Sequence, residues 1–252
     1  IGAGNTAPVA RNDVGVISED STLTVSDGDN ANETGDSGTT YNATGEHSGD
    51  VINTSSTTHY DTDADGDTIV VSSVRTGSVE GSGTAGTLGQ ALTGTYGQLT
   101  LNSNGSYTYV ANQTAADALD AGDTEDDVFN YTISDGNGGT DIGTITITVI
   151  GINDAPVAQD DVGVIAEGST LTVANSANAN VSGSYDATGE HSGDVIDTSS
   201  SSHTDSDADA SSSLSITHVK LSGGSNSTVA SSSSYNSNGT SITGTYGTLT
   251  IG

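Results

Sequence analysis

The chain is expected to be all-β, arranged as tandem antiparallel β-sandwich repeats, and three observations carry that expectation. Its apolar residues fall in short runs with a period of two, the pattern of strands with one buried face. Stretches of Gly, Asn, Asp, Ser and Thr separate these runs, with no helical periodicity beyond 115–120. The third observation is repetition: APVARNDVGVI at 7–17 returns as APVAQDDVGVI at 155–165, and ATGEHSGDVI at 43–52 returns unchanged at 187–196.

The joint is GINDAPVAQDD at 151–161, and it divides the chain into repeats 1–153 and 154–252. The two prolines, Pro8 and Pro156, set a spacing of 148 residues. In the first repeat Val14, Val16 and Ile17, then Leu23 and Val25 alternating with Thr22 and Thr24, read as a strand; 27–41 reads as loop. After the acidic loop 61–67 come Ile69, Val71 and Val74, matched by Leu214, Ile216 and Val219. In both copies the apolar phase slips before the third residue, which predicts a β-bulge. Leu99 and Leu101, Tyr107 and Tyr109, Phe129 to Ile133, and Ile145 to Val149 supply four more alternating runs. Asn104-Gly105 and DGNGGT at 135–140 lie between them as hairpin turns. Seven or eight short strands per repeat of this length favour a sandwich of immunoglobulin or cadherin type. In the second repeat Ile251 answers to Leu101, so counterparts of 103–150 do not appear. The expectation is a piece of a longer chain; the alternative is a half-domain completed by strands of a neighbouring chain in a filament.

With 33 acids against 3 bases, the net charge is -30, and only 31% of residues are hydrophobic. Composition alone would point to disorder, but the alternating runs argue for a folded chain whose acids are neutralised by a partner. Nucleic acid is excluded, since phosphate binding needs a basic surface. An anionic membrane surface is disfavoured for the same reason. No apolar run approaches the ~20 residues of a membrane helix, and no signal peptide opens the sequence. Cysteine is absent, which removes disulfides and thiolate metal sites. Asp, Asn and backbone carbonyls are hard oxygen ligands, and Ca2+ is the cation they suit best.

The succession ATG, GDVI, DTDADGD, IVVSSV, TGTYGQLTLNSNGSYTY, FNYTISDGNGGT and ITITVIGINDAP resembles the VCBS and cadherin-like repeats of very large bacterial surface proteins and RTX-type adhesins. The resemblance covers the first repeat and about two-thirds of the second. It implies a secreted, calcium-stiffened immunoglobulin-like module, repeated in an extracellular stalk or fibre at the cell surface and exported by a type I system. Two departures stand out: residues 53–60 intervene before the aspartate loop, and Ala210 replaces the glycine found at Gly66 in the first copy.

Asp61, Asp63, Asp65 and Asp67 alternate with small residues around Gly66, so several carboxylates can converge on one ion. Position twelve is Ser72 rather than Glu and the flanks are strand-like, so this is a calcium-binding β-loop and not an EF-hand; the alternative is a solvated acidic turn. Asp205, Asp207 and Asp209 form the second copy. At the joint, Asn153, Asp154, Asp160, Asp161 and Glu167 resemble the linker of cadherins, which implies an ion shared between modules; the alternative is a proline-stiffened linker with solvated acids. Asn12, Asp13 and Glu19 would then serve a preceding module. Asp135, Asn137 and Asp141 read as turn residues of the DGNGGTD hairpin rather than a third site, and Asp123, Glu125, Asp126 and Asp127 are ambiguous between the same alternatives.

The pairs His47 and His59, and His191 and His203, share a spacing of 12 but lack a third ligand, so a transition metal is disfavoured. No nucleophile elbow, phosphate loop or HExxH motif is present, and the chain is not expected to be an enzyme. The leading expectation is a structural and adhesive module whose partners are neighbouring repeats. A carbohydrate-binding module using Tyr41, Tyr60 and Tyr185 against surface glycans is an alternative, as is a self-assembling filament or surface layer.

Overall fold

The structure, a computed structural model, describes residues 4–34, 40–52, 58–181, 183–196, 203–231, 233–234 and 237–252. Parts of two expected loops, 35–39 and 53–57, lie outside these residues. The chain forms two compact units, Ile1–Asp154 and Ala155–Gly252.

In the first unit, β1 (Asp13–Ser18) and β2 (Thr22–Val25) are followed by β3 (Val70–Thr76), β4 (Leu92–Thr93), β5 (Gln98–Leu101) and β6 (Tyr107–Val110). A single turn of helix, α1 (Thr114–Asp117), precedes the long hairpin of β7 (Thr124–Ser134) and β8 (Thr140–Ile150). Two four-stranded sheets result, ordered β1-β8-β7-β3 and β2-β6-β5-β4. One face of each is buried: Phe129, Tyr131, Ile133, Ile145, Ile147 and Val149 from the first sheet join Leu23, Leu99, Leu101, Tyr107 and Tyr109 from the second in one core. This period-two burial is what the alternating runs require.

Three details differ from the expectation. The first run is two strands, because the chain turns at Asp20, whose φ is 56°, and crosses from one sheet to the other. β1 also pairs parallel to β8, from Asp13 opposite Ile145 to Ser18 opposite Ile150, so the sheets are not wholly antiparallel. The helix is shorter than 115–120 and starts one residue earlier. The bulge in β3 falls between Val71 and Ser73, and both expected hairpins form, closed by 102–106 and 135–139.

The second unit contains β9 (His218–Val219), β10 (Ser227–Thr228), β11 (Thr240–Thr243) and β12 (Thr248–Ile251), in two antiparallel pairs. It repeats part of the local bonding of the first at equivalent positions. The bridge of Val9 to Thr62 returns as Val157 to Ser206, and that of Gly15 to His47 as Gly163 to His191. The ring Nδ1 of His59 lies 2.6 Å from Asn12 O, as that of His203 does from Asp160 O. Its apolar residues stay more open: Ile165 is 49% exposed where Ile17 is 2%, and Leu249 is 51% where Leu99 is 1%.

Candidate metal centre

The sequence places an aspartate loop before β3 and a Gly-rich hairpin after β7. Pairing brings them together. β3 runs antiparallel to β7 with Val70 opposite Ser134, so the residues before the one strand lie beside those after the other. Asp63 and Asp67 from the loop and Asp135 from the hairpin each offer a carboxylate oxygen, and these atoms lie within 4.8 Å of one another. Two oxygens bound to one Ca2+ can be at most about 5 Å apart, so the group has the spacing of a shared ion.

Local geometry explains the convergence. Asp63 Oδ1 accepts the N–H groups of Asp65 (2.8 Å) and Asp67 (3.2 Å), closing a tight turn that needs the positive φ of Gly66, 78°. Asp63 Oδ2 is buried and has no hydrogen-bond partner among the described residues. A buried carboxylate oxygen without a donor is costly unless a cation serves it. Asp135 is 5% exposed; its Oδ1 accepts the N–H groups of Asn137 and Gly139 at 2.8 and 2.9 Å. Its Oδ2 accepts the Asn5 amide at 2.7 Å. The Asn5 bond, with the two backbone donors, holds the Asp135 carboxyl below the usual range despite burial, so it is an anion at neutral pH. Asn137 Nδ2 donates to Asp67 Oδ2 at 2.8 Å, tying hairpin to loop.

The remaining aspartates of the loop have other duties. Asp65 is exposed, and its Oδ2 accepts the N–H of Thr6 at 2.6 Å. Asp61 is 2% exposed; its Oδ1 accepts the N–H of Arg11 at 2.7 Å and its Oδ2 has no partner among the described residues. Burial, opposed by the Arg11 N–H and reinforced by Asp141 and Asp50, pushes its carboxyl up to about 7. Neither belongs to the group of three. Together with Asp141, whose Oδ2 accepts the Ala10 N–H at 2.8 Å, these carboxylates fasten the segment 5–11 along the pole of the unit that carries the centre.

In the second unit Asp205 Oδ1 accepts the Gln159 N–H at 2.7 Å, copying Asp61 and Arg11. Asp207 Oδ1 accepts the Asp209 N–H at 3.0 Å, copying Asp63 and Asp65. No group of three carboxylates forms there among the described residues.

The joint residues are placed by their own units. Asn153 Nδ2 donates to Asp154 O at 2.5 Å, and both residues lie in the first unit. In the second unit Asp161 Oδ1 accepts the Ser192 hydroxyl at 2.9 Å, and burial raises its carboxyl above the usual range. Asp160 and Glu167 are exposed. Asn12, Asp13 and Glu19, expected to serve a preceding module, each bond within the first unit. Asp13 is buried against Tyr131 and Ser48, Asn12 Oδ1 accepts the Thr144 N–H, and Glu19 Oε1 accepts the N–H of Ile152 at the far end of the same unit. These side chains diverge because β1 runs the length of the sheet between them.

Asp135, Asn5 and Asn137 are the participants that sequence reasoning left outside the site. The signal that finds them is the strand pairing: once β3 is set against β7, the acids of the hairpin must share a pole with the aspartate loop.

Residues 29–151 match the bacterial cadherin-like domain. The chain is also similar to the calcium-binding lectin RapA2 of Rhizobium johnstonii, 37% identical over 67 residues, which is 26% of this chain. That stretch spans only 28% of the relative's length. Neither similarity is to an enzyme. The span 29–151 contains the aspartate loop, the hairpin and β3 to β8, so the three carboxylates of the candidate metal centre lie inside the part of the chain that is similar to the bacterial cadherin-like domain, while Asn5 lies before it.

Proposed function

We propose that the chain is a calcium-stiffened structural and adhesive repeat of an extracellular bacterial surface protein. The observation that carries this reading is the convergence of Asp63, Asp67 and Asp135 with an unserved buried oxygen on Asp63. Ca2+ would supply charge neutralisation there, and the three carboxylates would hold it. The chain's own residues do the mechanical work. Asp61, Asp65, Asp135 and Asp141 grip the segment 5–11 through its N–H groups and the Asn5 amide, so an ion that fixes the loop and hairpin also fixes the direction of that segment. The copy of one such grip at Gln159 and Asp205 extends the reading to the residues that follow the joint. An ion shared across the joint by Asn153, Asp154, Asp160, Asp161 and Glu167 belongs to the same proposal, as do placement in a fibre or stalk and export by a type I system.

Calorimetry of the 252-residue chain across a calcium titration tests the reading. Because an ion that binds only the folded form stabilises it by mass action, about 2.7 kcal/mol is expected at a hundredfold excess over Kd. Identical melts in calcium and in chelator would refute it. Similarity to a calcium-binding lectin favours a second reading, in which the module also binds surface glycans. A glycan array probed in calcium and in chelator tests that, with no calcium-dependent signal counting against it.

A further inference from the structure

The chain holds three Asn-Gly pairs, at 104, 137 and 238, and the structure separates the first two. In the hairpin 135–139 the N–H of Gly136 donates to Ser134 Oγ at 3.2 Å, and those of Asn137 and Gly139 donate to Asp135 Oδ1. The Gly138 N–H has no acceptor among the described residues. Asn137 and Gly138 are both exposed, Gly138 has a φ of 105°, and the space where a side chain would stand is open. At the other pair the Gly105 N–H is bonded to Asn102 O at 3.1 Å, and a side chain at the glycine would meet Asp50 Oδ1 and Ile52 Cγ1 at 3.0 Å from its Cβ. The Asn104 side-chain Oδ1 in turn accepts the Ser106 hydroxyl at 2.8 Å.

We infer that Asn137 is a site of spontaneous amide-to-acid conversion that adds a carboxylate to the rim of the candidate metal centre. The Gly138 nitrogen attacks Cγ of Asn137; a nitrogen–carbon bond forms, the Cγ–Nδ2 bond breaks, and ammonia leaves with the proton given up by Gly138. Water then opens the cyclic imide, at Cγ to give aspartate or at the backbone carbonyl to give isoaspartate. No oxidant or reductant is needed. A glycine on the C-terminal side favours this chemistry because no Cβ blocks the approach and the backbone rotates freely. An N–H without an acceptor has no hydrogen bond to surrender before it reacts.

The location gives the reaction a consequence, and this part rests on the calcium reading. Asn137 Nδ2 now donates to Asp67 Oδ2 at 2.8 Å. After conversion a carboxylate faces a carboxylate at that point, which is repulsive without a cation and attractive around one. Age or alkaline exposure would thus make the hairpin and loop more dependent on the ion.

The test is to hold the 252-residue chain at mildly alkaline pH in chelator and map the mass gain of acid over amide by peptide mass spectrometry. Conversion at Asn137 is expected to run several-fold faster than at Asn104. Equal or slower conversion at Asn137 overturns the site. In parallel, Asn137→Asp and the unaltered protein are titrated with Ca2+ alone. The variant is expected to bind the ion several-fold more tightly and to melt lower in chelator; unchanged affinity overturns the charge consequence. If neither protein responds to Ca2+, the calcium reading fails while the mass result still decides the modification.

Discussion

The Tyr109 hydroxyl donates to the Asp127 carboxylate at 2.9 Å, linking β6 of one sheet to β7 of the other. The same carboxylate accepts the N–H groups of Thr95, Tyr96 and Gly97, so it pins the turn between β4 and β5 from across the sandwich. The acid that was ambiguous in the sequence is structural. Replacing it with alanine leaves a buried hydroxyl and several N–H groups unserved, at ~1–3 kcal/mol for each group that stays desolvated. Asp127→Ala is expected to lower stability in urea by roughly 3 kcal/mol, and a loss below ~1 kcal/mol would show that the turn is held by other contacts.

Removal of two loop carboxylates should silence the ion. Asp63→Asn with Asp67→Asn is expected to abolish the calcium-dependent rise in Tm, which for the unaltered chain should be about 5–10 °C at a hundredfold excess over Kd. In chelator the double variant should melt no lower than the unaltered chain, since it sheds mutual repulsion. Retention of the full calcium response would move the site elsewhere.

Stability should fall with rising pH when calcium is withheld. Asp13 has its carboxyl pushed well above the usual range by burial, with Tyr131 and Ser48 opposing and Asp61 and Asp50 adding to it. Asp61 is raised from 3.8 to about 7. A group whose folded pKa exceeds its unfolded value binds its proton more tightly in the folded state. Its contribution is therefore complete below about 3.8 and is lost as pH climbs through about 7, by on the order of 4 kcal/mol for Asp61. Asp61→Asn should flatten this slope in urea titrations between those limits. An unchanged slope would assign it to other groups.

Glu46 has the opposite sign. Bonds from Ala43, from the hydroxyl and N–H of Thr34, and from the Asn42 N–H hold its carboxyl down to about 2 from the usual 4.5. Its contribution is present above about 4.5 and disappears as pH falls toward 2. Protection of the Asn42 and Ala43 amides, taken relative to the intrinsic exchange rate at each pH, should fall over that interval, and Glu46→Gln should remove this pH dependence of protection. Amides equally protected at both ends would exclude the carboxylate as their anchor.

The two units should melt apart. Burial of Ile17 and Leu99 against exposure of Ile165 and Leu249 means that the second unit removes far less apolar surface from water per residue. Calorimetry is expected to show the first unit melting cooperatively and the second at lower temperature, with hydrogen exchange fastest in 155–252. One transition with coincident exchange protection would contradict this.

Much of this protein could be read from its sequence alone. Alternation fixed the strands from Leu99 to Val149, the phase slip after Val71 marked the bulge, and Asn104 and the DGNGGT stretch marked the hairpins, because strand periodicity and turn chemistry are local properties of the chain. Charge and the aspartate spacing marked the loop as a candidate for a divalent cation for the same reason. Tertiary structure alone decided which carboxylates meet. Asp61 and Asp63 are two residues apart in one loop and each keeps one buried oxygen unserved, yet Asp61 binds the Arg11 N–H while only Asp63 comes together with Asp67 and Asp135. Asp127 and Tyr109 likewise meet only when two sheets close over a core. Sequence spacing orders ligands along a strand or turn, but a cation or a buried carboxylate is served by groups brought from distant segments, and strand pairing is the step that sets those distances.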